Sequence, residues 1–139
     1  MNTRLRILVL SILVVWGVLL SVVSLSPVYR LRVGLIAGKP SRQIMAKRNH
    51  RLAHWIAFGV LSFFLALLGK SSSRRIAAFV GIAAFGALIE LLQHVIYRNP
   101  LETWDIRDDI YGALAGFLGA TVMIAVDRRR RAREVGKLT

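Results

Sequence analysis

Four apolar stretches, Ile7–Leu25, Leu52–Gly69, Ile76–Ile96 and Ile110–Val126, set the terms on which this chain can fold. Each falls within the roughly 17–25 residues that a helix needs to cross a hydrocarbon core. A backbone in lipid has no water to satisfy its N–H and C=O groups, so only helices and closed barrels span a bilayer. These stretches are too long for barrel strands and lack strict two-residue alternation. The expected fold is therefore all-α, an integral membrane four-helix antiparallel bundle. The 139 residues are 55% hydrophobic, above the roughly 45–50% of a soluble domain. They make one domain, residues 1–139, of which 127–139 form a basic tail.

The first stretch follows Arg4 and Arg6 and has the look of a secretory leader. It outruns the usual h-region of about 7–15 residues and lacks a convincing small-residue cleavage site, so it reads as a retained anchor. The chain has no cysteine, which excludes disulfides and thiol chemistry.

The formal charge is +13, and the basic residues lie almost wholly between or outside the apolar runs. Basic residues so placed fix orientation and hold anionic membrane lipids, so nucleic acid is not an expected partner. The densest cluster, "DRRRRAREVGKLT", reads as a stop-transfer and lipid-surface anchor. Placing both termini in the cytoplasm gives that side only a thin excess of Lys and Arg. The acids Glu102, Asp105, Asp108 and Asp109 favour the same orientation, because they would rim the outer face opposite the basic first loop.

That loop, Pro27–Arg51, carries Pro27, Gly34, Gly38 and Pro40 as breakers, with a short helix possible from Arg42 into the second span. In "GKSSSR", Ser71 to Ser73 are available as N-caps for the third helix. In "YRNPLETW", Asn99-Pro100 stops one helix and Thr103 can cap the next.

Ionisable groups nevertheless enter the apolar runs. Glu90 lies six residues before Ile96, about 9 Å inside the span, with Gln93 and His94 on roughly the same face. A carboxylate there costs on the order of 2.5–3.5 kcal/mol if it faces lipid, so it must face the bundle or a wet cleft. The second helix begins on the same side with His50 and His54, four residues apart. The fourth begins there with Asp105 and Asp109, and Gly112 and Gly116 continue that face. Three helix ends thus predict one polar cluster.

These residues resemble the VanZ-like family of membrane proteins, whose namesake is linked to low-level teicoplanin resistance. The resemblance rests on "HRLAHWIAFGVL", "ALIELLQ" and "RNPLETWDIRDDIYGALAG", and spans roughly Asn49 to Gly119. The family pattern is an Asp-Lys pair three residues before a helix-starting His, a Glu-x-x-Gln near the end of the next helix, then Arg, Asp, Asn and two glycines. His54 matches the His, Glu90 and Gln93 the Glu and Gln, Arg98 the Arg, Asp105 the Asp, and Gly112 and Gly116 the glycines. His50-Arg51 stands in place of Asp-Lys and Asp109 in place of Asn, and the Arg-to-Asp spacing is one longer. The resemblance implies four membrane helices, cytoplasmic termini and an outward-facing cluster. It supplies a location and a phenotype rather than a reaction.

The candidate ligand-binding cluster is thus His54, Glu90, Gln93, Arg98, Asp105 and Asp109. Each has a plainer reading. Glu90 with His54, or Gln93, could simply be interhelical hydrogen bonding, worth about 0.6 kcal/mol on average and up to 1–2. Asp105 could stabilise a helix N-terminus, Asp108 reads as a solvated first-turn acid, and Arg98 could neutralise the acidic loop or meet an anionic lipid headgroup. Gly112, Gly116 and Gly119 read as helix-packing positions. Trp55 and Trp104 sit at span edges, and mid-span Trp16 reads as helix packing.

Two function classes remain. One is a cell-envelope protein that binds a polar headgroup, a cell-wall precursor or a partner. The other is a membrane hydrolase or transferase acting on a phosphate-bearing lipid, with Glu90 or Asp105 as general base, His54 as acid or base and Arg98 as phosphate clamp. Proton-coupled transport needs a charged path, and Glu90 alone lies well inside a span. His, Glu and Asp suit divalent metals, but no HExxH or comparable spacing is present, so neither a metal nor another cofactor is expected.

Overall fold

The computed structural model describes residues 3–25, 40–98 and 100–136. It is built from four helices: α1 (Thr3–Ser24), α2 (Pro40–Leu68), α3 (Ser72–Tyr97) and α4 (Thr103–Val135). All four are long and apolar enough to cross a membrane. The fold is the all-α four-helix bundle that the apolar stretches require, with consecutive helices running in opposite directions.

The helix ends differ from the apolar stretches for local reasons. Helix α2 starts at Pro40 and runs unbroken into its span, so the possible short helix from Arg42 is its first turns; proline suits a first helical turn because its missing N–H is not needed there. The loop breakers Pro27, Gly34 and Gly38 lie outside the described residues. Ser71 caps α3, its hydroxyl accepting from the Arg74 N–H at 3.3 Å. Helix α3 stops at Arg98, whose left-handed backbone (φ 53°) turns the chain away; Asn99 lies outside the described residues. The expected cap of α4 at Thr103 is corrected: Glu102 occupies the N-cap position, without a side-chain cap bond, and Thr103 is the first helical residue. At its far end α4 stays helical through Asp127 and the arginine cluster as far as Val135, where Arg131 pairs with Asp127 at 2.9 Å.

The four helices do not share the packing equally. Helices α2, α3 and α4 form the core, around Ala57, Phe58, Leu61, Ile82, Ile89 and Ala113, while α1 adds Leu13 from the side. Helix α1 otherwise presents Ile7, Leu8, Val14, Val15, Val18 and Val22 outward. Such a surface would be a liability in water and is ordinary in lipid. Trp16, expected to pack between helices, is 38% exposed on that outer helix.

The closest approach is between α2 and α4, which run parallel. A β-carbon on Gly112 would lie 2.6 Å from the carbonyl oxygen of Trp55, and one on Gly116 would collide with the carbonyl oxygen of Gly59. Gly119 stands farther out, where a β-carbon would meet the Phe63 ring at an ordinary 3.5 Å. Small residues let two backbones approach in this way, the usual route to tight contact between membrane helices.

Candidate functional site

The glycine contact sets the register of α2 against α4, and that register brings three pairs of polar side chains together one after another. His50 Nε2 lies 2.8 Å from Asp105 Oδ2. Arg51 donates to both oxygens of Asp108, at 2.7 and 3.2 Å. One turn deeper, His54 Nδ1 lies 2.6 Å from Asp109 Oδ1. The two imidazoles meet edge to face with centroids 4.5 Å apart, and the inner one stacks on Phe58 at 6.2 Å. Both His54 and Asp109 lie about 9 Å from the ends of their spans at helical rise.

Helix α3 closes the site from the third side. Gly86 leaves room for Asp109, since a β-carbon there would sit 2.9 Å from the Asp109 β-carbon. One turn later on the same face comes Glu90, only 3% exposed. His54, Glu90 and Asp109 each place a ligand-capable atom within 4.8 Å of the others, and so do His50, His54 and Asp105. The cluster therefore has an outer and an inner half, sharing His54.

Sequence-expected site residues separate into two groups. The structure brings His54, Glu90, Asp105 and Asp109 together. Gln93 turns instead toward α1, donating to the Ser24 carbonyl at 2.8 Å, and Tyr97 beside it donates to the Leu25 carbonyl. Arg98 is exposed at the end of α3. The reading of Asp108 as a solvated acid is corrected: its side chain is fully buried and held by Arg51 and by Arg107, the latter at 3.2 Å. Arg51 and His50 belong to the site for the same reason, their helical register against α4. The available signal was the four-residue spacing shared by His50 and His54 and by Asp105 and Asp109, with Arg51 and Asp108 lying between them.

Two further features border the cluster. Arg107 lies over the Trp104 ring, 4.4 Å from its centroid, so Trp104 is capped by a cation at the helix entrance. Below the cluster, a shallow apolar groove runs along α2 and α4, lined by Trp55, Ile56, Gly59, Val60, Phe63 and Gly116. Its residue nearest the cluster in sequence, Trp55, points about 100° around α2 from His54. The structure therefore combines a cluster of ionisable groups at one end of the bundle with a shallow apolar groove on another face of α2. Comparisons with known protein families, curated proteins and solved structures return no match to this chain.

Proposed function

We propose that this chain is a VanZ-like cell-envelope protein of the plasma membrane, with both termini cytoplasmic, that binds the polar head of a membrane lipid or lipid-linked cell-wall precursor at its outward-facing cluster. Its effect on the cell is altered glycopeptide susceptibility, teicoplanin above all. One observation carries the reading: ionisable groups of three helices are gathered at one end of the bundle, on helices that also carry an apolar groove. Helix glue alone needs one or two polar pairs, whereas an amphiphile needs this combination. Its acyl chain takes the groove, its phosphate meets the half-exposed guanidinium of Arg51 and the neighbouring Arg107, and a cationic part of its head meets the acids. Arg98, exposed at the same end, extends the basic rim.

A second reading is supported by the His54–Asp109 contact. A carboxylate on one ring nitrogen fixes the imidazole and raises its basicity at the other, the arrangement of a general base. On this reading the protein is a hydrolase or transferase of a phosphate-bearing lipid.

Glu90→Gln tests both. The amide keeps the shape and removes the charge. Purified wild-type protein should carry a defined envelope lipid, read by mass spectrometry, and the variant should lose it at normal expression, together with any teicoplanin tolerance in a susceptible host. Retention of lipid and phenotype by Glu90→Gln, His54→Ala and Asp105→Asn would exclude the cluster from either role. Turnover of the bound lipid by wild type, lost in His54→Ala, would select the enzymatic reading.

A further inference from the structure

The inner half of the cluster has two carboxyl groups and a single imidazole to meet them. Glu90 and Asp109 are 3% and 1% exposed. Oδ1 of Asp109 is bound by His54, but its Oδ2 has no hydrogen-bond partner. That oxygen lies against Gly86, one helical turn before Glu90. No hydrogen bond reaches the Glu90 carboxyl among the described residues. The nearby guanidiniums of Arg51 and Arg107 hydrogen-bond Asp108 rather than the two inner carboxyls. Two buried carboxylates facing a single imidazole are costly, and a proton or a bound cation offsets the cost.

We propose that His54, Glu90 and Asp109 form a binding site for one divalent first-row transition ion, of the Zn²⁺ or Mn²⁺ class. The donor set is one imidazole and two carboxylates, one from each of the core helices α2, α3 and α4, with their ligand atoms within 4.8 Å of one another. Imidazole favours transition ions over Mg²⁺ and Ca²⁺, which prefer all-oxygen sites. Three protein ligands leave a further coordination position for water or a substrate oxygen, the pattern of functional rather than closed structural sites. His50 and Asp105 pair with each other directly above and orient the entrance. A site assembled from one residue per helix leaves no linear spacing in the sequence, which is why HExxH-type patterns miss it. The assignment is independent of the lipid reading, since the ion would bind whether or not an amphiphile follows.

The test uses full-length protein purified in detergent with a non-histidine affinity tag and without chelators, titrated with Zn²⁺ and with Co²⁺ as a coloured stand-in. Wild type should bind one ion per chain, show Co²⁺ ligand-field bands typical of nitrogen and oxygen donors, and unfold at a lower temperature after chelation. Glu90→Gln, which breaks no hydrogen bond, should weaken binding by about a hundredfold or more, a loss at least as large as those from altering the supports of metal ligands. Asp109→Asn should do the same, and both variants should lose the chelator effect while eluting as the wild-type species. His94→Gln, on the exposed side of α3, should bind as wild type does. Absence of stoichiometric metal in wild type would overturn the proposal, as would undiminished binding in Glu90→Gln. Loss confined to His50→Gln or Asp105→Asn would overturn the inner assignment.

Discussion

Gly59 and Gly116 meet backbone to backbone, with no room for a β-carbon between the second glycine and the carbonyl oxygen of the first. Gly116→Ala should therefore force α2 and α4 apart, at a cost of about 1–3 kcal/mol or more, the range for overpacking a close contact. Gly119→Ala, facing a ring edge at ordinary distance, should be close to neutral. Thermal unfolding in detergent of the two variants side by side measures the contrast.

The same contact fixes the ion pairs, so the pair of Arg51 and Asp108 should be coupled rather than additive. Arg51→Met removes the guanidinium that binds both oxygens of the fully buried Asp108, and should lower the unfolding midpoint more than Arg51→Met does in an Asp108→Leu background. A double-mutant cycle reads the coupling. Strict additivity would mean that the pair contributes nothing specific.

Helix α1 is fastened to α3 at one end by Gln93 and Tyr97, whose side chains donate to the Ser24 and Leu25 carbonyls. Gln93→Ala with Tyr97→Phe should free that end of α1 and cost about 1 kcal/mol, in line with hydrogen bonds between membrane helices. The core cluster on α2, α3 and α4 should survive intact. Faster proteolysis near residue 25, with unchanged metal and lipid content, is the expected signature.

Topology is open to direct measurement in this cysteine-free chain. Single cysteines at Ser41 and Ser72 lie at opposite ends of the bundle, near the starts of α2 and α3. In intact cells an impermeant thiol reagent should label position 41 and spare position 72. The reverse pattern would invert the orientation and place the polar cluster in the cytoplasm.

The four helices were legible in the sequence because lipid leaves the backbone few choices, so length and hydrophobicity alone decide. Glu90, His54, Asp105 and Asp109 were legible as a cluster because helix ends on one side must lie at similar depth. What escaped was whatever depends on the rotation and register of one helix against another. Gln93 is three residues from Glu90, which at 3.6 residues per turn leaves the two about 60° apart; that is enough to direct one to α1 and the other into the core. Asp108 sits in the opening turns of a helix after a polar loop, the usual place for a solvated acid. Only the glycine register, invisible without a partner for Gly116, brings Arg51 over it. Thr103 lost the cap position to Glu102 by a single residue, a shift that local propensity does not resolve.

The helical continuation of α4 through its arginines changes what those charges can do. From Asp127 to Val135 the helix adds about 12 Å at 1.5 Å per residue, longer than the screening length of about 8 Å at physiological salt. On a floppy tail every arginine could settle onto the lipid headgroups. On a stiff rod standing off a membrane, only the first turn would reach the surface and the outermost charges would be carried beyond it, a lever whose angle is set by the same helix that holds Asp105 and Asp109 at the other end of the molecule.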